Sequence, residues 1–217
     1  MITFDEIRGN REVCAYMRKG DANMGALGFT EHGGGHAMKV AHDAAAILTA
    51  LGHDAREIEL AQIAGYMHDL GNCINRNDHA HTGALVAMQI LTRMGMEPEE
   101  IAVICAAIGN HDEKTGVPVD AVSAAVILAD KCDVRRSRVR TDADFDIHDR
   151  VNYAAESSEL EADGAARGIT LLLELDDGIC SVMDYFQIFT ERMLMCRRAA
   201  AKLGCEFRMM ANGNRVV

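Results

Sequence analysis

The segment Tyr66-Met67-His68-Asp69-Leu70-Gly71-Asn72 closes a stretch in which Ile58, Ala61, Ala64 and Gly65 recur at helical spacing. An imidazole and a carboxylate, His68 and Asp69, at the end of an apolar helix need partners, because burying them bare is costly. A metal ion would supply those partners. Neutral imidazole suits zinc, iron, nickel or copper, and carboxylate also suits manganese and magnesium. Successive helix positions point about 100° apart, so this pair serves a metal centre only if other helices complete the shell.

The flanking sequence provides such helices. Ala41, Ala44, Ala45, Leu48 and Leu51 define a helix from Gly35 to about Leu51, stopped by Gly52. Asp54-Ala55-Arg56-Glu57 reads as a capping box that opens the helix bearing His68-Asp69, which closes at Gly71. A third helix begins near Asp78, presents Leu85, Met88, Leu91 and Thr92, and stops at Gly95. Pro98 suits the first turn of a fourth, through Ile101, Ile104, Cys105 and Ile108. A fifth runs from about Asp120 through Val122, Val126 and Ala129 to about Asp133. The texture changes after about Arg140. Ile169 to Leu175 is short and apolar and ends in Asp176-Asp177-Gly178, which predicts a strand and a turn. The segment from about Val151 to Glu161 is its pairing candidate. Met183 to Leu203 is helical, with Phe186, Phe189, Met193 and Cys196 on one face, and Cys205 to Met210 forms a last strand before Asn212-Gly213. The expected fold class is mainly α: a helical body over residues 1–145 and a small α+β region over 146–217.

Composition narrows the function classes. The 217 residues carry 22 basic and 33 acidic side chains, a net charge of −11, which argues against a nucleic-acid polymer as partner. Trp is absent, so base-stacking platforms are poorly supplied. No apolar run approaches the roughly 18–20 residues that span a bilayer. The start, MITFDEIRGNREV, lacks the apolar core of a secretory signal. No membrane partner and a cytoplasmic location are the resulting expectations. Seven cysteines without a C-x-x-C pair exclude a disulfide framework and a cysteine zinc knuckle. The thiols read as small core residues. Nine histidines remain, seven of them between His32 and His81.

Several of these stand at helix ends: His36 at the start of the first helix, His79 at the start of the third, and His111 after the fourth; Asp130 lies in the fifth. The ordered set His36, His68-Asp69, His79, His111, Asp130 resembles that of the HD-domain metal-dependent phosphohydrolases. The motifs that carry the likeness are Gly35-His36-Ala37, His68-Asp69-Leu70-Gly71, His79-Ala80-His81-Thr82-Gly83-Ala84, Asn110-His111-Asp112 and Leu128-Ala129-Asp130-Lys131-Cys132-Asp133. They span about residues 30 to 140. The subgroup that hydrolyses dinucleoside tetraphosphates is similar in its H-x-x-x-G-A motif and its A-D-K segment. HD-GYP cyclic-dinucleotide phosphodiesterases share the former spacing. They carry a His-His pair where this chain has Asn110-His111, and no GYP element is visible. Many members carry Lys where this chain has Asn72.

The resemblance implies an HD-type helical bundle holding one or two divalent ions (Mn, Fe, Co, Ni, Zn or Mg). It implies that His36, His68, Asp69 and Asp130 bind the first metal. His79 and His111 would bind a second with Asp69 bridging, or contact the phosphate. Asp69, His79 and His111 are thus the expected catalytic residues. His79 matches the spacing to Gly83, with His81 its rival. The implied reaction is cleavage of a phosphoester of a small phosphorylated metabolite, such as a nucleotide, by metal-activated water. Lys131 and Arg135 are candidates for holding the anionic substrate, since Arg forks fit phosphate oxygens. The run Arg135-Arg136-Ser137-Arg138-Val139-Arg140 also fits a solvated face. His32 is a further ligand or substrate contact, or a loop residue. His42, His53 and His148 read as surface or helix-end residues, and Gly33-Gly34-Gly35 as a loop beside the site. Two other functions compete: a di-iron oxygenase on an HD-type scaffold, and a non-catalytic metal- or nucleotide-binding regulatory module. A homo-oligomer is left open.

Overall fold

The computed structural model describes residues 1–140 and 145–217. Among them, two helices precede the first histidine, α1 (Phe4–Gly9) and α2 (Arg11–Ala26). The expected helices do not include them. In α2 the buried residues Val13, Met17, Gly20 and Met24 do recur at helical spacing, but Gly20 thins the apolar stripe. Capping defines them better. Thr3 and Glu6 form a capping box on α1, and Asn10 accepts from the amides of Glu12 and Val13 to open α2.

The body continues with α3 (Gly34–Ala50), α4 (Ala55–Met67), α5 (His79–Met94), α6 (Pro98–Gly109) and α7 (Ala121–Lys131). Helices α4 and α7 are its axis. Tyr66 and Met67 close α4 fully packed, and in α7 every residue from Val122 to Ala129 is buried. Gly65 explains how α4 comes so close to α3: a Cβ there would lie 3.1 Å from the Ala41 backbone. Two boundaries differ from expectation. Helix α4 stops at Met67, and a 3₁₀ turn (Leu70–Cys73) follows where continuous helix was expected. Gly34 and Gly35 belong to the first turn of α3 rather than to a loop. The Asp54 cap forms, accepting from Arg56 and Glu57 amides, but Glu57 pairs with the His53 ring at 2.7 Å instead of closing the box.

Helix α5 buries a different face from the one its large residues suggested. Ala80, Gly83, Ala87, Ile90 and Leu91 face inward, while Leu85 and Met88 are exposed. The cause is the 3₁₀ turn, which passes so near that only small residues fit. A Cβ on Gly71 would lie 2.0 Å from the His79 carbonyl, and one on Gly83 would lie 3.0 Å from the Gly71 nitrogen.

The C-terminal part adds α8 (Ile147–Ala154), β1 (Ala155–Asp163), β2 (Gly168–Leu175), α9 (Val182–Lys202), β3 (Glu206–Ala211) and β4 (Asn214–Arg215). Residues 151–154 end a helix, so the first strand starts later than expected. The sheet order is β1-β2-β3-β4, with β2 and β3 parallel and the outer pairs antiparallel. Helix α9 makes the crossover that a parallel pair needs. Asn212 and Gly213, at φ of 47° and 73°, form the tight turn of the last hairpin. The chain is therefore mainly α but not all-helical. One hydrophobic core runs through both parts: Phe189, Met193 and Cys196 of α9 join the cluster that holds Val126, Leu128 and Cys132. All seven cysteines are free thiols. No helix among the described residues is long and apolar enough to cross a membrane.

Candidate metal centre

Five helices end at one point. His36 sits in the first turn of α3, His68 caps α4, Asp69 precedes the 3₁₀ turn, His79 is the first residue of α5, His111 follows α6, and Asp130 is in the last turn of α7. Asp78 turns the chain into α5 with a left-handed φ of 62°, a conformation Asp tolerates better than most residues. His36, His68, His79 and His111 are all at most 3% exposed.

The four imidazoles share one arrangement. The Nδ1 of His68, His79 and His111 lies 2.7, 3.1 and 2.6 Å from the carbonyls of Gly65, Arg76 and Ile108. The Nδ1 of His36 lies 2.7 Å from Asp133 Oδ2. A carbonyl can only accept, so these rings carry their proton on Nδ1 and turn a bare Nε2 inward. There the lone pairs meet: His36 Nε2 is 3.2 Å from His68 Nε2, and His79 Nε2 is 3.0 Å from His111 Nε2. Facing acceptors at such distances suit a cation between them.

The carboxylates complete two groups. Asp130 Oδ1 lies 3.3 and 3.6 Å from the Nε2 atoms of His36 and His68. Asp69 spans both: Oδ2 is 3.9 and 3.5 Å from His36 and His68, while Oδ1 is 3.5 and 3.8 Å from His79 and His111. The ligand atoms of His36, His68 and Asp130 lie within 4.8 Å of one another, as do those of His68, Asp69 and His111. The donor set fits one divalent ion or two bridged by a carboxylate.

Electrostatics agree. Burial alone would raise the Asp69 and Asp130 carboxyls, but His68, His32 and His79 around Asp69, and Lys131, His36 and His68 around Asp130, hold both well below the usual range. Burial lowers His79 and pushes His111 further down, so both are neutral, the form that binds metal. Burial also opposes charge on His68, but Asp69 and Asp130 outweigh it and raise its pKa.

Of the remaining candidates, Lys131 is buried with its ammonium 2.7 Å from Asp130 Oδ2 and 3.3 Å from Glu113 Oε1. Arg135 forks onto Asp133 through Nε and Nη2. The arginine run is a solvated face only in part, at Arg136 and Ser137. Arg138 is 4% exposed and donates to the carbonyls of Asp133 and Glu31, and Arg140 pairs with Asp21. His32 lies beside His36 with ring centroids 5.7 Å apart and its Nδ1 2.7 Å from the Thr30 carbonyl. His81 is exposed and pairs with Asp78, away from the cluster. Three residues of the site stood out of sequence reasoning: Asp133, which orients His36; Glu113, which holds Lys131; and Arg76, whose guanidinium reaches within 3.2 Å of His79 Nε2. The signal for Asp133 was its place at the end of the Leu128–Asp133 motif, to which no role was assigned.

Four inward Nε2 atoms and two buried or nearly buried carboxylates form a donor set that could hold a divalent metal. The family model described as the HD domain matches residues 33–135, a span that contains every one of these ligands. Over that stretch the chain is similar to HD domains. The chain is also similar to an uncharacterized protein of Methanocaldococcus jannaschii, 26% identical over 208 residues that cover 83% of this chain and 80% of that one. Among solved structures, a predicted HD superfamily hydrolase from an uncultured Thermotogales bacterium is 24% identical with a TM-score of 0.45, over 58% of this chain and 68% of that chain.

Proposed function

We propose that this protein is a metal-dependent phosphohydrolase that cleaves a phosphoester of a small phosphorylated metabolite, a nucleotide being the leading class. The observation that carries this reading is Asp69, one carboxylate placed between two groups of Nε2 atoms. Bound divalent metal supplies Lewis-acid polarisation of a phosphoryl oxygen and acidifies water. His36, His68, Asp69 and Asp130 would hold the first ion, and His79 and His111 with Asp69 a second, or contact the phosphate directly. Lys131 fixes Asp130, and Asp133 fixes the His36 ring. Both act on the ligands rather than on the substrate. His32 stands close enough to the cluster to meet a substrate there. The protein acts on small molecules, apart from membranes and nucleic-acid polymers, in the cytoplasm.

Elemental analysis of purified protein, followed by a phosphorylated-metabolite panel with Mn, Co, Ni and Mg added separately, tests the reading. One or two ions per chain and turnover of a phosphoester are expected. Absence of metal after expression in supplemented medium, or activity retained by a His68→Ala, Asp69→Ala double variant, would overturn it. Oxygen consumption with an iron-specific spectrum would instead assign an oxygenase.

A further inference from the structure

Most cations around the cluster are already committed. Lys131 is paired with Asp130 and Glu113, Arg192 with Glu113, Arg135 and Arg138 with Asp133. Arg76 differs. The carboxylate oxygen nearest to it in an ion pair is Asp69 Oδ1, at 3.9 Å. Its Nη1 rests 3.2 Å from His79 Nε2 and 3.5 Å from Asn72 Oδ1, and its guanidinium lies 5.8 Å from the Phe29 ring centroid. His79 Nε2 is an atom of the metal centre. Once it is committed to a cation, Nη1 loses that acceptor.

A second donor stands beside it. Asn72 is 1% exposed, and its Nδ2 has no hydrogen-bond partner. A buried donor left without an acceptor is costly, so it marks a place where an acceptor belongs. Arg76 lines two clefts. One, of about 240 Å³, is lined also by His79, Asp112, Glu113 and Lys114. The other, of about 340 Å³, is lined by Leu27, Ile74 and Asn72. A fork of N–H groups and a free amide N–H, side by side near the imidazole cluster, suit an oxyanion.

We infer that Arg76, assisted by the Asn72 amide, grips the non-bridging oxygens of the substrate phosphate at the junction of the two clefts. This rests on the phosphohydrolase reading. It makes Arg76 the specificity residue for a phosphate bound at the second group of ligands, His79 and His111.

The test uses full-length protein loaded with manganese, with inorganic phosphate as the probe in titration calorimetry. Arg76→Ala is expected to keep its metal content and its unfolding temperature and to weaken phosphate binding by about tenfold or more. Its KM for any phosphoester turned over rises with it, and Arg76→Lys restores only part, because one ammonium replaces a fork. Phosphate affinity within twofold of the parent overturns the inference alone. So does loss of metal or of thermal stability in both variants, which makes Arg76 structural. A parent protein that takes up metal but binds no phosphate overturns the phosphohydrolase reading and this inference together.

Discussion

Each central imidazole is fixed at its outer nitrogen, so one substitution at an outer partner should loosen the centre without removing a ligand. Asp133 is the sharpest case. It is fully buried, and its carboxyl, which burial would raise, is held far below the usual range by the His36 ring and the Arg135 fork. Asp133→Asn is expected to weaken metal binding by about 10–100-fold while the fold persists, measured by competition with a chelating dye. Asp69→Asn should be more severe, because each Asp69 oxygen faces a different pair of imidazoles. The expected result is at most one ion per chain by elemental analysis and no hydrolysis. The residues gathered here were legible because histidine and aspartate at helix ends in a fixed order form a pattern. Asp133, Glu113 and Arg76 were not, because a charge that works through another side chain leaves no spacing of its own.

At the scale of elements, small residues set the geometry. The 3₁₀ turn after His68-Asp69 and the first turn of α5 are in backbone contact, and this brings His79 to the cluster. Gly83→Ala would press a Cβ to 3.0 Å from the Gly71 nitrogen and 3.3 Å from the His68 carbonyl. Overpacking of this kind costs about 1–3 kcal/mol. Calorimetry should show a Tm lower by several degrees, with a matching loss of metal affinity. Glu113 ties the loop after α6 to α7 and α9 through Lys131 and Arg192. Burial alone would raise its carboxyl, but those two cations lower it from 4.5 to about 2. A depressed pKa stabilises the fold fully above the unfolded value and is lost as pH falls through the folded one. In chelated protein, Glu113→Gln should be less stable by about 1–3 kcal/mol at neutral pH, and the difference should close between pH 4.5 and about 2. Helix positions were legible from stops such as Gly52, Gly95 and Pro98. The inward face of α5 was not, because its Ala and Gly residues give no hydrophobic signal while the exposed Leu85 and Met88 do.

Across the whole molecule, the change of texture after Arg140 marks where helices give way to an α+β region. Composition cannot show what packs across that change. Helix α9 lies on α7, where Cys196 and Cys132 sulfurs are 3.8 Å apart, and Ser158 Oγ donates to the Cys132 carbonyl. A chain ended at residue 145 would expose the apolar side of α7, the helix that carries Asp130. Such a truncation is expected to lose its near-ultraviolet circular dichroism and to aggregate on gel filtration. A sharp native-like spectrum from residues 1–145 would show instead that the helical body stands alone.

The ligands are drawn from the ends of five helices, from His36 to Asp130. Joining such distant points of the sequence makes the centre a knot in the chain's connectivity. With the knot closed, no one of these helices can fray or slide without letting go of the others, and the unfolded ensemble would lose the loops it otherwise explores. Resistance to heat and to proteolysis should then climb with the logarithm of free metal concentration, so the same six side chains would also decide how long the protein lasts.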